Sequence, residues 1–185
     1  MPVKKTSKEE ILVKSAQLFR EKGYFNTSIS DLAKACGVHN ANFYYYFTDK
    51  ENLMEETLKY IHNLFLTKVI KIAYDETKSY KDRGEKMALY LEKYFFDKKG
   101  GCLMGNTAME TSLSDPKFLH IIKTFFIDWS DALTHLYKSK YNSEEARYRA
   151  EQSIQDFQGG IMLSKLYSDK KYFLSALKRA QEHVI

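Results

Sequence analysis

Residues 31–50 read DLAKACGVHNANFYYYFTDK, and the unbroken run Phe43, Tyr44, Tyr45, Tyr46, Phe47 decides how the stretch must fold. Five consecutive aromatics are too bulky for a flexible loop and too apolar to leave wholly in water. On a helix starting near His39, Phe43 and Phe47 lie four residues apart on one face, while the three tyrosines sweep round the other side. The phenylalanines are expected to anchor and the tyrosines to face outward. Gly37 supplies the tight turn from a short preceding helix. A short helix after a glycine turn, with Asn40, Ala41 and Asn42 in its first turn, has the form of a helix that enters the DNA major groove by its N-terminal end. An Asn amide there can pair bidentately with adenine. The tyrosine hydroxyls and Lys50 would reach the flanking phosphates.

Outward from this stretch, the pattern is helical throughout. The chain has 2 Pro and 8 Gly in 185 residues, and apolar positions recur at three- and four-residue spacing, as in Ile11, Leu12, Ala16 and Phe19. Thr6 or Ser7 with Glu9 or Glu10, Ser28 with Asp31, and Thr48 with Glu51 each set a hydroxyl three residues ahead of a carboxylate, the spacing of a capping box. Helices are therefore expected to begin near residues 7, 28 and 49. Gly23 is expected to end the first in a left-handed conformation. Breaks at 78–79, 98–101, 114–116, 141–143 and 168–169 divide residues 50–185 into about six further helices. The expected organisation is all-α: a helix-turn-helix DNA-binding domain over 1–50 joined to a helical effector-binding and dimerisation domain over 51–185.

Composition sets the outer limits. A hydrophobic content of 44% supports a real core. No uninterrupted apolar run of about 18 residues occurs, and the start MPVKKTSKEE lacks the apolar stretch of a signal peptide, so a cytoplasmic protein with no membrane role is expected. Two cysteines, Cys36 and Cys102, are too few for a disulfide framework. The five histidines show no ligand spacing, and no metal, cofactor or catalytic function is expected. A net charge of +5 leans towards an anionic partner.

Residues 24–53, YFNTSISDLAKACGVHNANFYYYFTDKENL, resemble the DNA-binding signature of the TetR family of bacterial transcriptional repressors. The matching elements are Gly23-Tyr24, Thr27-Ser28, Asp31-Leu32-Ala33, Gly37-Val38, Phe43-Tyr44, Tyr46-Phe47 and Lys50-Glu51-x-Leu53. The resemblance implies a homodimer that binds a palindromic double-stranded DNA operator and is released by a small-molecule effector, whose identity the sequence does not name. On the matching positions it places Thr27, Ser28, His39, Asn40, Asn42, Tyr44, Tyr45, Tyr46 and Lys50 at the DNA. His39 departs from the family's usual Ser, a better helix cap, and Asn40 stands where the family often has Lys or Arg.

Three further expectations rest partly on that resemblance. The segment 100–110, GGCLMGNTAME, resembles a subset of the family that includes cysteine-based electrophile sensors. Cys102 follows Lys98 and Lys99 near a helix start, which favours a thiolate; the alternative is a small residue packed under the DNA-binding domain. The family's effector pocket falls between the helices read at 80–97, 102–113 and 117–138, so Tyr94, Phe95, Cys102, Met109, Phe125, Phe126 and Trp129 are its candidates. The last two helices form the family's dimer seam. Here they cover 144–166, with Ile154, Phe157, Ile161 and Leu166 close to one stripe, and 172–183; Gly159-Gly160 in mid-helix points to a close backbone approach. The rival reading from another class is a small-molecule-binding or redox-reactive helical protein, possibly an enzyme, without operator recognition.

Overall fold

The computed structural model describes residues 6–96, 99–111 and 116–184, less the side chains of Asn40, Ala41, Asn42, Phe96 and Pro116. All regular structure among the described residues is helical. The elements are α1 Lys8–Lys22, α2 Ile29–Cys36, α3 Asn40–Tyr46, α4 Lys50–Phe65, a wide π turn Leu66–Ile70, α5 Lys71–Ala73, α6 Tyr80–Phe96, α7 Leu103–Thr111, a 3-10 turn Pro116–Phe118, α8 Leu119–Tyr137, α9 Ser143–Tyr167 and α10 Lys171–Glu182.

Local chemistry sets most of these boundaries. Ser7 caps α1 in a full capping box: its hydroxyl accepts from the Glu10 amide at 3.1 Å, and the Glu10 carboxylate accepts from the Ser7 amide at 3.0 Å. Ser28 and Asp31 do the same for α2, and Gly37 closes that helix at φ 70, ψ 32, in the left-handed region. The start of α4 differs from expectation. Asp49, not Thr48, accepts from the Asn52 amide at 2.7 Å, and the Asn52 side chain reaches back to the Thr48 amide at 3.4 Å. A carboxylate one residue nearer the helix outcompetes the hydroxyl, and Glu51 instead pairs with Lys117 at 2.7 Å. Gly23 does take positive φ, 87°, but its ψ of 164 puts it outside the left-handed helical region, in a conformation essentially reserved for glycine.

The Asp31 cap makes an acid-stability prediction. Hydrogen bonds from the Ser28 hydroxyl and amide, then Lys22, lower its pKa from 3.8 to about 2. A depressed folded pKa stabilises fully above the unfolded value, and that contribution is lost as pH falls through the folded one. The difference in thermal midpoint between wild type and Asp31→Asn should hold steady down to about pH 4 and close between 3.8 and 2, as melting curves across that window would show.

The chain divides into two compact units, residues 1–62 with 103–122, and 63–102 with 123–185. Helix α4 packs within the first unit: Leu53, Met54, Leu58 and Ile61 are buried, Glu56 pairs with Lys8 at 2.9 Å, and Tyr60 donates to Glu9 at 3.0 Å. The first unit also takes in α7 and the start of α8, a segment far along the chain.

The second unit is built around aromatic rings. Trp129 is fully buried and stacks on Phe157 at 5.3 Å and 12° and on Phe95 at 5.9 Å and 19°. Phe65 and Phe125 meet it edge-on, and Phe173 meets both Phe95 and Phe157 edge-on. Helices α9 and α10 pack at Gly160, where a Cβ would lie 3.0 Å from the Phe173 Cα and the Tyr172 carbonyl oxygen. Both are backbone atoms, so Gly160→Ala must push α10 away and should cost about 1–3 kcal/mol in denaturant titration.

Candidate nucleic-acid interface

The turn and helix that carry the proposed contacts are held from behind. Phe43 and Phe47 are buried at 1% and 2% exposure with centroids 6.0 Å apart. Tyr44 and Tyr45 stand out at 60% and 76%. This is the division that four-residue spacing implies, one face inward and the other exposed. His39 occupies the cap position of α3 in extended conformation and makes no side-chain cap bond, so its exposed imidazole is available outward. The side chains of Asn40 and Asn42 lie outside the described residues; their backbone forms the first turn of α3.

Other expected contacts are put to different use. Thr27 is buried at 1%, and its hydroxyl donates to the Gly23 carbonyl at 2.6 Å. Its hydroxyl therefore stitches the α1–α2 turn. Ser28 is exposed, but its hydroxyl is engaged in the α2 cap with Asp31. Tyr46 is half-buried; its hydroxyl donates to the Thr6 carbonyl at 3.2 Å and its ring meets Tyr45 edge-on at 4.8 Å. Lys50 does not hang free. Its ammonium donates to the Tyr24 carbonyl at 3.1 Å and sits 4.4 Å from the centroid of the Tyr24 ring.

Tyr24 is thus the hub of this unit. Its ring is buried against Phe118 at 5.2 Å and Phe19 at 6.0 Å. Its amide donates to Glu110 Oε2 at 2.8 Å, and the next amide, of Phe25, donates to Glu110 Oε1 at 2.8 Å. Glu110 was invisible to sequence reasoning, since its partners lie 85 and 86 residues away.

The expected effector residues separate. Met109 belongs to the first unit and is 87% exposed, whereas Tyr94, Phe95, Phe125, Phe126 and Trp129 belong to the second. Phe95, Phe125 and Trp129 are packed core, with exposures of 5%, 1% and 0%; periodic aromatics filled the interior here instead of lining a chamber. An apolar cleft lined by Met87, Leu91, Leu133, Tyr137 and Leu177 holds about 20 Å³, room for little more than one water. Phe95 does line a larger cavity, about 330 Å³, with Lys99, Gly101, Ile161 and Lys165. Cys102 is buried at 4%, and neither cysteine forms a disulfide. Burial raises the pKa of Cys36, partly offset by Lys14.

The dimer candidates divide as well. Phe157 is buried within its own chain between Trp129 and Phe173, and Gly160 faces α10 of the same chain. Ile161 is also buried, at 8%. Gly159 has nothing within 4 Å of a would-be Cβ, and Ile154 is half-buried. Near them Tyr148, Met162, Leu166 and Tyr167 are exposed at 56–67%. No helix among the described residues is long and apolar enough to cross a membrane, and none of their His, Cys, Asp and Glu side chains gather in a metal-holding group.

Comparison with known proteins agrees with this arrangement. Residues 11–57 match the model of bacterial regulatory proteins of the tetR family, and residues 84–179 match that of the LmrA/YxaF-like transcriptional regulator C-terminal domain. The HTH-type transcriptional regulator YuxN of Bacillus subtilis is 36% identical over 66 residues, 35% of this chain and 23% of that protein. The biofilm operon negative regulator IcaR of Staphylococcus aureus is 33% identical over 63 residues, 32% of this chain and 34% of that protein. The chain therefore spans about a quarter to a third of the length of these curated relatives. A TetR regulator from Legionella pneumophila superposes over 100% of both chains with a TM-score of 0.88 at 22% identity. Reduced NemR of Escherichia coli superposes over 95% of both with a TM-score of 0.76 at 18% identity. At such identities the likeness is one of fold.

Proposed function

Because the chain belongs to the TetR family of bacterial regulatory proteins, we propose that it is a non-enzymatic, cytoplasmic transcriptional repressor that binds an operator as a homodimer and is released by a small molecule. The observation that carries this reading is α3: a short helix fixed by Phe43 and Phe47 after the Gly37 turn, presenting Tyr44 and Tyr45 to solvent. Tyr44 and Tyr45 are 60% and 76% exposed beside a two-helix turn, and their hydroxyls suit phosphate oxygens. The second unit supports the remainder. The exposed stripe of Met162, Leu166 and Tyr167 on α9 suits a second copy, and the cavity beside Phe95 has the volume of a small-molecule site.

Binding titrations on a duplex from the protein's own upstream region and on a scrambled duplex, at several salt concentrations, test the reading. The upstream duplex should bind at least about 10³-fold tighter than the scrambled one. Tyr44→Phe and Tyr45→Phe should weaken both alike, since phosphate contacts carry no sequence information. Ending the chain at Asn142 should abolish dimerisation and most operator affinity. Equal affinity for the two duplexes at every salt concentration would sink the repressor reading.

A further inference from the structure

The cavity of about 330 Å³ beside Phe95 lies wholly within the second unit. Its walls come from two turns whose backbone is held in conformations that side chains resist. Gly101, between α6 and α7, has φ +81, and a Cβ there would lie 3.2 Å from Ile161 Cγ2. Ser168, between α9 and α10, is the one non-glycine with positive φ among the described residues, at 53°, a left-handed conformation that any Cβ opposes. Its amide closes α9 on the Ser164 carbonyl. The gap between the turns is therefore set by backbone and not by loose side chains. Its floor is apolar and fixed: Phe95 and Ile161 are only 5% and 8% exposed, and Phe95 stacks on Trp129 and meets Phe173 edge-on.

Among the described residues the rim carries three lysines, Lys99, Lys165 and Lys170, and one acid, Asp169. That acid is already matched from outside the cavity. Its Oδ1 accepts from the Lys171 amide at 2.9 Å and its Oδ2 from the Lys171 ammonium at 2.8 Å, and these bonds hold its carboxyl below the usual carboxylate range. Lys165 donates to the Gly100 carbonyl at 3.5 Å, which keeps its ammonium at the mouth. A second cavity, of about 350 Å³ and lined by Asp156, Lys171 and Arg179, gives the contrast. There Arg179 is bonded to Asp156 at 2.8 Å and Lys171 to Asp169 at 2.8 Å, so the charges cancel. Only the Phe95 cavity sets an excess of positive charge over an apolar floor. We propose that it binds a small aryl carboxylate, with the carboxylate at Lys99 and Lys165 and the rings against Phe95 and Ile161. An apolar cavity of about 150 Å³ holds benzene, so this one has room for about two fused rings. The inference rests on the effector reading above and names the chemical class of that molecule.

Isothermal titration calorimetry on the full chain, without DNA, tests this with naphthalene-2-carboxylate, its neutral amide and inorganic phosphate. The carboxylate should bind at least about 5-fold tighter than the amide, and phosphate, which has the charge without the rings, should not bind measurably. The preference for the carboxylate should shrink as salt rises, because exposed charges are screened. Lys99→Gln and Lys165→Gln should each weaken the carboxylate about 2- to 5-fold and leave the amide unchanged, and the double variant should bring the two probes within about 2-fold. Both lysines are exposed, so the variants should melt as wild type does by circular dichroism. The carboxylate should also shift the Ile161 methyl signals of carbon-13-labelled protein. Failure of the carboxylate to bind overturns the proposal. So does equal affinity for carboxylate and amide, a carboxylate affinity that the double variant leaves unmoved, or binding that does not shift Ile161. Titrating the upstream duplex with and without the carboxylate separates this from the effector reading: if DNA affinity is unchanged while the calorimetric pattern holds, the effector role falls and the anion site stands.

Discussion

Trp129→Ala should lower the unfolding free energy by about 3–5 kcal/mol, the range for emptying a large buried aromatic site. Trp129 has no exposed surface and is flanked on its faces by Phe157 and Phe95 and at its edges by Phe65 and Phe125. Rings so enclosed cannot collapse into the space left by an indole without abandoning their own contacts. It is the chain's single tryptophan, so the variant must be followed by circular dichroism in denaturant, not by fluorescence. Trp129→Phe should cost far less than the lost ring area suggests. The indole Nε1 is buried with no hydrogen-bond acceptor among the described residues, and removing an unsatisfied donor returns part of its desolvation cost, about 1–3 kcal/mol. A Phe variant as unstable as the Ala variant would show that packing alone governs the site.

Phe43→Ala should be as damaging, about 3–5 kcal/mol, but in the first unit. Phe43 is 1% exposed and meets Phe47, and α3 has only seven residues and no side-chain cap. A helix that short has little stability of its own and depends on the buried face. Melting should therefore show loss of helicity beginning well below the wild-type midpoint, with DNA binding lost in parallel. Tyr45→Ala, at a site 76% exposed, should leave the melt within about 0.5 kcal/mol of wild type. Equal destabilisation by the two would mean that the outward face of α3 is also packed.

What sequence could and could not disclose follows the reach of each interaction. The caps at Ser7 and Ser28, the Gly37 turn and the inward pair Phe43 and Phe47 are contacts between residues three or four apart, and each stands as expected. The α4 cap was misplaced by one residue because Asp49 and Thr48 are both competent caps and only geometry chooses between them. Periodicity places Phe157 and Trp129 on apolar faces without saying what covers those faces. Within this chain they cover each other, Trp129 stacked on Phe157 at 5.3 Å. Gly160 signalled a close backbone approach correctly, but to α10 of the same chain. Lys50 and Thr27 carried the right residue types for phosphate contact, yet the carbonyls of Tyr24 and Gly23 engage them first. Glu110 depends on a loop more than eighty residues away, and no local pattern announces such a partner.

The first unit is assembled from two lengths of chain separated by residues 63–102, which gives its birth on the ribosome an order. Helices α1 to α3 are synthesised first, but the carboxylate that fastens the α1–α2 turn arrives with residue 110. At translation speeds of 5–20 residues per second, the delay from residue 62 is roughly 2–10 s. For that interval the nascent chain has helices α1 to α3 but not the carboxylate that fastens the turn between the first two. The finished form of that turn thus waits on translation of sequence well beyond the three helices themselves. A stop codon anywhere between residues 62 and 110 should yield a fragment with all three of those helices and an α1–α2 turn left unfastened.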